Sequence, residues 1–108
     1  MAIAKKGTRG LVVDGARYRW VVSPGDEAGV GVVVLGEDGD GQRVVAWFEH
    51  GVVVAPGLVA GVVREALLHH GWTPRARGRQ LTLRCPGRSP DPARPGLVAW
   101  PPGGPGPE

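Results

Sequence analysis

The sequence has little that could support redox, metal or membrane chemistry. Its 108 residues include one cysteine, Cys85, so an internal disulfide and a cysteine-rich metal site are excluded. No apolar run approaches the roughly 18 residues that span a bilayer. Lys5 and Lys6 are not followed by the apolar segment of a signal peptide. We therefore expect a cytoplasmic protein that has no cofactor and does not contact a membrane.

Aromatic residues are also scarce. The chain has four tryptophans, one tyrosine and one phenylalanine, and a small domain needs most of its aromatic side chains to fill the core. The sequence therefore predicts that the aromatic residues near its strand-like segments are buried: Tyr18, Trp20, Trp47 and Trp72. The alternative is an exposed platform on which nucleic-acid bases stack, because aromatics beside arginines on a sheet bind single strands in that way.

The spacing of apolar residues predicts one helix over about residues 56–70. An apolar stripe runs along one side of it, formed by Leu58, Val59, Val62, Val63, Ala66 and Leu67. Pro56 suits the first helical turn, where an N–H has no partner. Gly71 suits the left-handed position after the last turn, from which Trp72 can fold back.

A β-hairpin is the clearest local signal. Asp14-Gly15 separates two strand-like runs and favours a two-residue type I′ turn. That turn places Val13 opposite Ala16, and Leu11 opposite Tyr18. One face, predicted to be buried, then carries Leu11, Val13, Tyr18 and Trp20, and the other carries Val12, Arg17, Arg19 and Val21.

Further strand-like runs cover residues 29–35, 43–49 and 79–84. In the second of these runs, either Val45 and Trp47 or Val44, Ala46 and Phe48 face inward. The order ββββαβ predicts an α+β domain, in which an antiparallel sheet of about five strands carries the helix on one face. The position of the last strand in the sheet is left open.

The composition divides the chain into three parts. Residues 1–8 form a polar lead-in, 9–84 a single domain, and 85–108 a tail that holds eight of the eleven prolines. So many prolines predict a disordered tail. The tail contains a candidate partner motif, formed by Pro92, Pro95, Leu97 and Trp100. Its apolar island, Leu97–Trp100, either docks on a partner or folds back on the domain.

Several features together carry a family resemblance. Lys6-Gly7-Thr8-Arg9 leads into Val13-Asp14-Gly15 and then Tyr18-Arg19-Trp20, and the proline-started helix ends in Gly71-Trp72. Over about residues 5–84 the chain resembles a family of small uncharacterised bacterial proteins with this hairpin motif. The resemblance implies the same fold and no particular activity. Ala55 stands where such proteins often have threonine, so a helix cap is missing here.

The charge distribution leaves two kinds of binding open. The net charge is +3, which permits nucleic-acid contact without requiring it. Candidate phosphate contacts are Arg17, Arg19, Arg75, Arg77, Arg79 and Arg84. We nevertheless expect a non-enzymatic domain that binds another protein, or a second copy of itself, through an open sheet edge. A nucleic-acid-binding module is the alternative.

A small enzyme is the second alternative, although no recognisable motif supports it. Ser23, Ser89 and Cys85 show no pairing with a base in the sequence. The adjacent His69 and His70 point about 100° apart on a helix, which disfavours a shared metal ion. The acidic turn Glu37–Gly41 is too short for a calcium loop.

Overall fold

Six strands and one helix make up the structure, a computed structural model that describes residues 7–24, 29–87 and 89–100. The elements are β1 (Arg9–Val13), β2 (Ala16–Pro24), β3 (Val30–Gly36), β4 (Val44–Phe48), α1 (Pro56–His69), β5 (Leu81–Arg84) and β6 (Val98–Ala99). They form a single sheet in the order β1-β2-β3-β4-β5-β6, and α1 packs on one of its faces. The predicted α+β class is confirmed. Residues 1–6 of the predicted lead-in and 101–108 of the predicted tail lie outside the described residues.

The β1–β2 hairpin has the predicted turn and register. Asp14 and Gly15 both have positive φ, 51° and 86°, as a type I′ turn requires. Val13 pairs with Ala16, and Leu11 with Tyr18. Val13, Tyr18 and Trp20 are buried, with Leu11 packed against them. The opposite side of the hairpin carries the exposed Val12 and Arg17.

The helix decides which face of β4 is inward. Val44, Ala46 and Phe48 lie in the same core cluster as the buried residues of α1. Val45 and Trp47 alternate with them and therefore point to the other side of the sheet. We call that side the helix-free face.

The sheet is antiparallel except between β4 and β5. These two strands are parallel, with Val44 beside Leu81 and Ala46 beside Leu83. The sheet is otherwise antiparallel as predicted; this one pair is parallel because α1 lies between β4 and β5 in the chain and acts as the crossover that a parallel pair requires. The remaining neighbours are antiparallel.

The helix begins at Pro56 as predicted and ends at His69. Gly71 has a φ of 65°, and the N–H of Trp72 donates to the carbonyl of Ala66 at 3.1 Å. The ring of Trp72 is thereby returned to the core, where it is 3% exposed. Leu67 differs from its predicted place in the stripe, since it is 40% exposed.

The described part of the predicted tail is packed against the domain. Val98–Ala99 forms β6 and pairs with β5, and Leu97 belongs to the core cluster. The expectation of a disordered segment from residue 85 onward is therefore corrected for residues 85–87 and 89–100. The physical reason is that long-range contacts with α1 and β5 hold a segment whose prolines prevent it from forming an extended ladder of its own.

Candidate functional site

The candidate partner motif lies against the helix. Residues 89–97, which we call the strap, cross α1 before β6. The N–H groups of Gly96 and Leu97 donate to the Glu65 carboxylate at 2.9 and 2.8 Å. Pro95 and Leu97 are buried, whereas Pro92 is exposed and Trp100 is partly exposed. Of the two alternatives for the apolar island, folding back on the domain is the one observed.

The strap is held at two further points. The thiol of Cys85 donates to the carbonyl of Pro95 at 3.2 Å, and Nε2 of His70 lies 3.2 Å from the carbonyl oxygen of Leu97. Burial raises the pKa of the Cys85 thiol, which favours its protonated form. Cys85 therefore packs and donates a hydrogen bond, and these are not the properties of an activated nucleophile.

Two of the six candidate arginines are engaged by neighbours. Arg84 forms an ion pair with Glu49 at 3.2 Å, and its guanidinium lies 4.6 Å from the centre of the Trp100 ring. Nε of Arg19 donates to the Thr8 hydroxyl at 2.6 Å. Both side chains lie on the helix-free face, because the residues beside them in sequence point to the core.

The other four arginines are not held by an ion pair or hydrogen bond between described side chains. Arg77 and Arg79 are exposed on the connector between α1 and β5. Arg17 and Arg75 line a cleft of about 460 Å³. The structure thus does not gather the six arginines into one patch.

The aromatic residues divide between the two faces of the sheet. Tyr18, Trp20 and Trp72 are buried, as predicted. The ring centres of Tyr18 and Trp72 are 5.6 Å apart. Trp47 differs: it is only partly buried, and its ring lies across Gly31 on the helix-free face, where an added Cβ would meet it at 3.0 Å. Trp47 and Trp100 are therefore the aromatic residues closest to a stacking role.

The cleft is formed by three segments that are distant in sequence. They are the start of β2, the acidic turn after β3 and the beginning of the connector. The connector approaches so closely that a Cβ at Gly41 would lie 1.8 Å from the carbonyl oxygen of Pro74, so glycine is required there. The charged residues that line the cleft are Arg17, Arg75, Glu37, Asp38 and Asp40.

Tyr18 also lines the cleft. Burial raises the pKa of Tyr18, while the positive charge of Arg75 acts against that rise and the carboxylate of Asp14 adds to it. The phenol is therefore neutral at physiological pH and able to donate a hydrogen bond.

The β1 edge is a second candidate surface. β1 is the first strand of the sheet and pairs with β2 on one side. Val12 is 64% exposed on it, and Leu68 of α1 is 75% exposed. The helix packs against β1, and Arg64 reaches Asp14 at 3.3 Å. The edge strand β1 and the exposed Leu68 of α1 therefore form neighbouring parts of one surface.

Neither a metal-ligand cluster nor a serine–histidine pair occurs in the part of the chain that the structure describes. There, no group of three or more His, Cys, Asp or Glu side chains is arranged to hold a metal ion. Ser23 and Ser89 make no hydrogen bond to a histidine among those residues. Within the same residues, no helix is long and apolar enough to cross a membrane.

Comparison with known proteins adds no identification. No family model matches the chain, and neither a curated protein nor a solved structure matches it. The fold and the two surfaces are thus the basis for any functional proposal.

Proposed function

We propose that this chain is a non-enzymatic, cytoplasmic protein-binding domain that recruits its partner by strand addition at the β1 edge. The observation that carries the proposal is the position of β1 at the end of the sheet. An edge strand presents backbone N–H and C=O groups to a partner strand. We also propose membership of the small bacterial family whose hairpin motif the chain resembles; the basis is the motif Lys6–Trp20.

The surroundings of β1 suit an added strand. Val12 is exposed and offers an apolar side chain on the helix-free face. Leu68 is exposed on the helix that packs against β1. A partner strand with apolar side chains would gain backbone hydrogen bonds and would cover apolar surface, which stabilises association by about 25 cal/mol per Å².

The V12K variant tests this proposal. A lysine on an edge strand opposes strand addition because its charge would be brought against the partner. Val12 is exposed, so folding is expected to be unaffected. With the tagged chain used as bait in lysate of the native cells and captured proteins quantified by mass spectrometry, V12K is expected to lose at least about nine tenths of its specific partner, a loss of about 1.4 kcal/mol.

The matched control is V53K. Val53 is 82% exposed and lies between β4 and α1, outside the sheet, so this variant gains the same charge and is expected to keep the partner. Equal capture by V12K and V53K contradicts the proposal, as does capture no greater than that of the empty resin. Analytical ultracentrifugation of both variants distinguishes a foreign partner from a second copy, because in the latter case V12K alone shifts the chain to monomer.

The helix-free face favours single-stranded nucleic acid as a second candidate. Trp47 and Arg84 are neighbours across β4 and β5, and Trp100 stacks on Arg84. Arg17 and Arg19 lie on the same face, three strands across and four to six residues along from Arg84, which is about 20–25 Å at the usual strand dimensions. Aromatic side chains between arginines are suited to base stacking with phosphate contacts.

Titration with labelled single-stranded RNA tests the second candidate. If it is correct, affinity falls steeply between low and moderate salt. W100L then weakens binding by about tenfold, because a stacked base contributes about 1–3 kcal/mol. V53A, a change at an exposed residue outside the sheet, serves as the control. Absence of binding at low salt eliminates this candidate.

A further inference from the structure

We infer that the cleft lined by Tyr18, Arg75 and the acidic turn binds a small zwitterion, an amino-acid-like molecule whose carboxylate and ammonium groups are several bonds apart. This site goes beyond the proposed function. Its lining residues come from the hairpin turn, β2, the region around the acidic turn and the connector, and none comes from β1.

Among the described residues, the charges in the cleft form no ion pair. Arg17, Arg75, Glu37, Asp38 and Asp40 all line it, yet neither guanidinium lies within 4.0 Å of any of the three carboxylates. The register places Arg17 next to Glu37, one residue beyond the pair Tyr18 and Gly36. Groups of both signs thus line one concavity without neutralising each other, which is an arrangement that a ligand with two opposite charges can satisfy.

The hydroxyl of Tyr18 is a second and independent observation. Tyr18 is 6% exposed, and its hydroxyl has no hydrogen-bond partner within the described part of the chain. No fully buried side-chain oxygen of these residues lacks a partner, so the small exposed portion of Tyr18 includes the hydroxyl. Tyr18 lines the cleft, so its hydroxyl is a donor available to a ligand bound there.

The charges around Tyr18 set the orientation of the ligand. Arg75 and Tyr18 both line the cleft, and both can donate to a carboxylate. The acidic turn supplies acceptors for the ammonium group. The guanidinium and carboxylate groups are separated by more than ion-pair distance, so the two charges of the ligand must also be separated.

The size of the cleft also fits this class of ligand. A volume of about 460 Å³ is within the range of about 300–1,000 Å³ that small-molecule sites occupy. Core contacts hold its walls: the rings of Tyr18 and Trp72 pack at a tilt of 31° with their centres 5.6 Å apart, and the indole N–H of Trp72 donates to the carbonyl of Gln42 at 2.8 Å.

Three matched probes test the inference by NMR on the ¹⁵N-labelled full chain. They are 6-aminohexanoate, hexanoate and hexylammonium, which carry both charges, the negative charge alone and the positive charge alone. We expect saturable shifts of the Gly36, Gly41 and Arg75 amides with 6-aminohexanoate. The other two probes are expected to bind about tenfold more weakly, because each lacks one charge-assisted contact.

Variants assign the site. R75Q is expected to weaken 6-aminohexanoate binding by about tenfold and Y18F by about fivefold, since each removes a donor to the carboxylate. R77Q, on the same connector but outside the cleft, is the control and is expected to bind like the unmodified chain. The indole N–H signal of Trp72 reports that each variant is folded.

Three results would overturn the inference. The first is the absence of saturable shifts up to about 50 mM 6-aminohexanoate, because a dissociation constant above that concentration means that the cleft does not bind this ligand specifically. The second is hexanoate binding as well as 6-aminohexanoate, since an anion alone would then suffice. The third is equal binding by R75Q and R77Q in folded protein, which would place the shifts outside the cleft.

Discussion

Replacing Gly61 with alanine is expected to lower the free energy of unfolding by about 3 kcal/mol, although alanine is the better helix former. Gly61 is buried under the strap. A Cβ at this position would lie 1.9 Å from the carbonyl oxygen of Pro92 and 3.1 Å from Cδ of Pro95. The first of these neighbours is backbone, so the strap must move away from α1. Overpacking of this kind costs about 1–3 kcal/mol, and the contacts that the strap then loses add to it.

Gly57 provides a matched control in the same helix. A Cβ at Gly57 would meet nothing within 4 Å, so G57A is expected to raise the free energy of unfolding by about 0.5–1 kcal/mol through helix propensity alone. Urea unfolding followed by tryptophan fluorescence measures both variants. If G61A is as stable as G57A, the strap does not lie on the helix as the structure has it.

Local signals made the hairpin and the helix predictable. The Asp14-Gly15 turn depends on two residues whose preferences are known, and it fixes the register of every pair in the hairpin. The stripe from Leu58 to Ala66 likewise reports the buried side of α1 without reference to the rest of the chain. The prediction that Leu67 is buried is wrong. The apolar stripe shows which side of the helix faces the sheet, but it does not show how far the sheet extends under that side.

The packing of the strap could not be derived from composition. Prolines and glycines do exclude a helix or a central strand, but they do not exclude an irregular segment that others hold in place. The contacts that hold it join residues 31 and 32 positions apart, Glu65 with Gly96 and Leu97. One sequence signal did exist: a glycine inside a helical pattern costs about 1 kcal/mol relative to alanine and so points to a packing reason, and Gly61 is such a glycine.

The cleft shows a different limit of sequence reasoning. Arg17, Arg75 and the acidic turn were all visible in the sequence as charged residues. In the sequence these arginines are candidate phosphate contacts, and the acidic turn is too short for a calcium loop. Their common location depends on the connector returning beside β3, where Pro74 approaches Gly41. A tertiary contact of this kind has no local signature.

Replacing Glu65 with alanine is expected to be the second large destabilisation, about 3 kcal/mol. Its carboxylate accepts hydrogen bonds from two backbone N–H groups of the strap, and a hydrogen bond to a charged group contributes about 1.5–3 kcal/mol. Without the Glu65 carboxylate, the N–H of Leu97 has lost its acceptor. Leu97 itself is only 6% exposed. The strap is then expected to open and to withdraw Leu97 from the core.

Cys85 reports the opening of the strap independently of global unfolding. Its side chain is 1% exposed and donates to Pro95, so a thiol reagent reaches it only when the strap moves. We expect E65A to accelerate labelling of Cys85 in water by at least about tenfold, because the opening free energy falls by more than 1.4 kcal/mol. E65Q keeps one acceptor oxygen and is expected to give an intermediate rate.

The control for this prediction is R64A, on the same helix. The Arg64 side chain forms an exposed ion pair with Asp14, with 46% and 72% of the two side chains accessible, and exposed pairs contribute at most about 1 kcal/mol. R64A is therefore expected to leave the labelling rate of Cys85 unchanged. If E65A and R64A label at the same rate, the carboxylate does not hold the strap, and the packing of residues 89–97 must then depend on Leu97 and the close contact at Gly61.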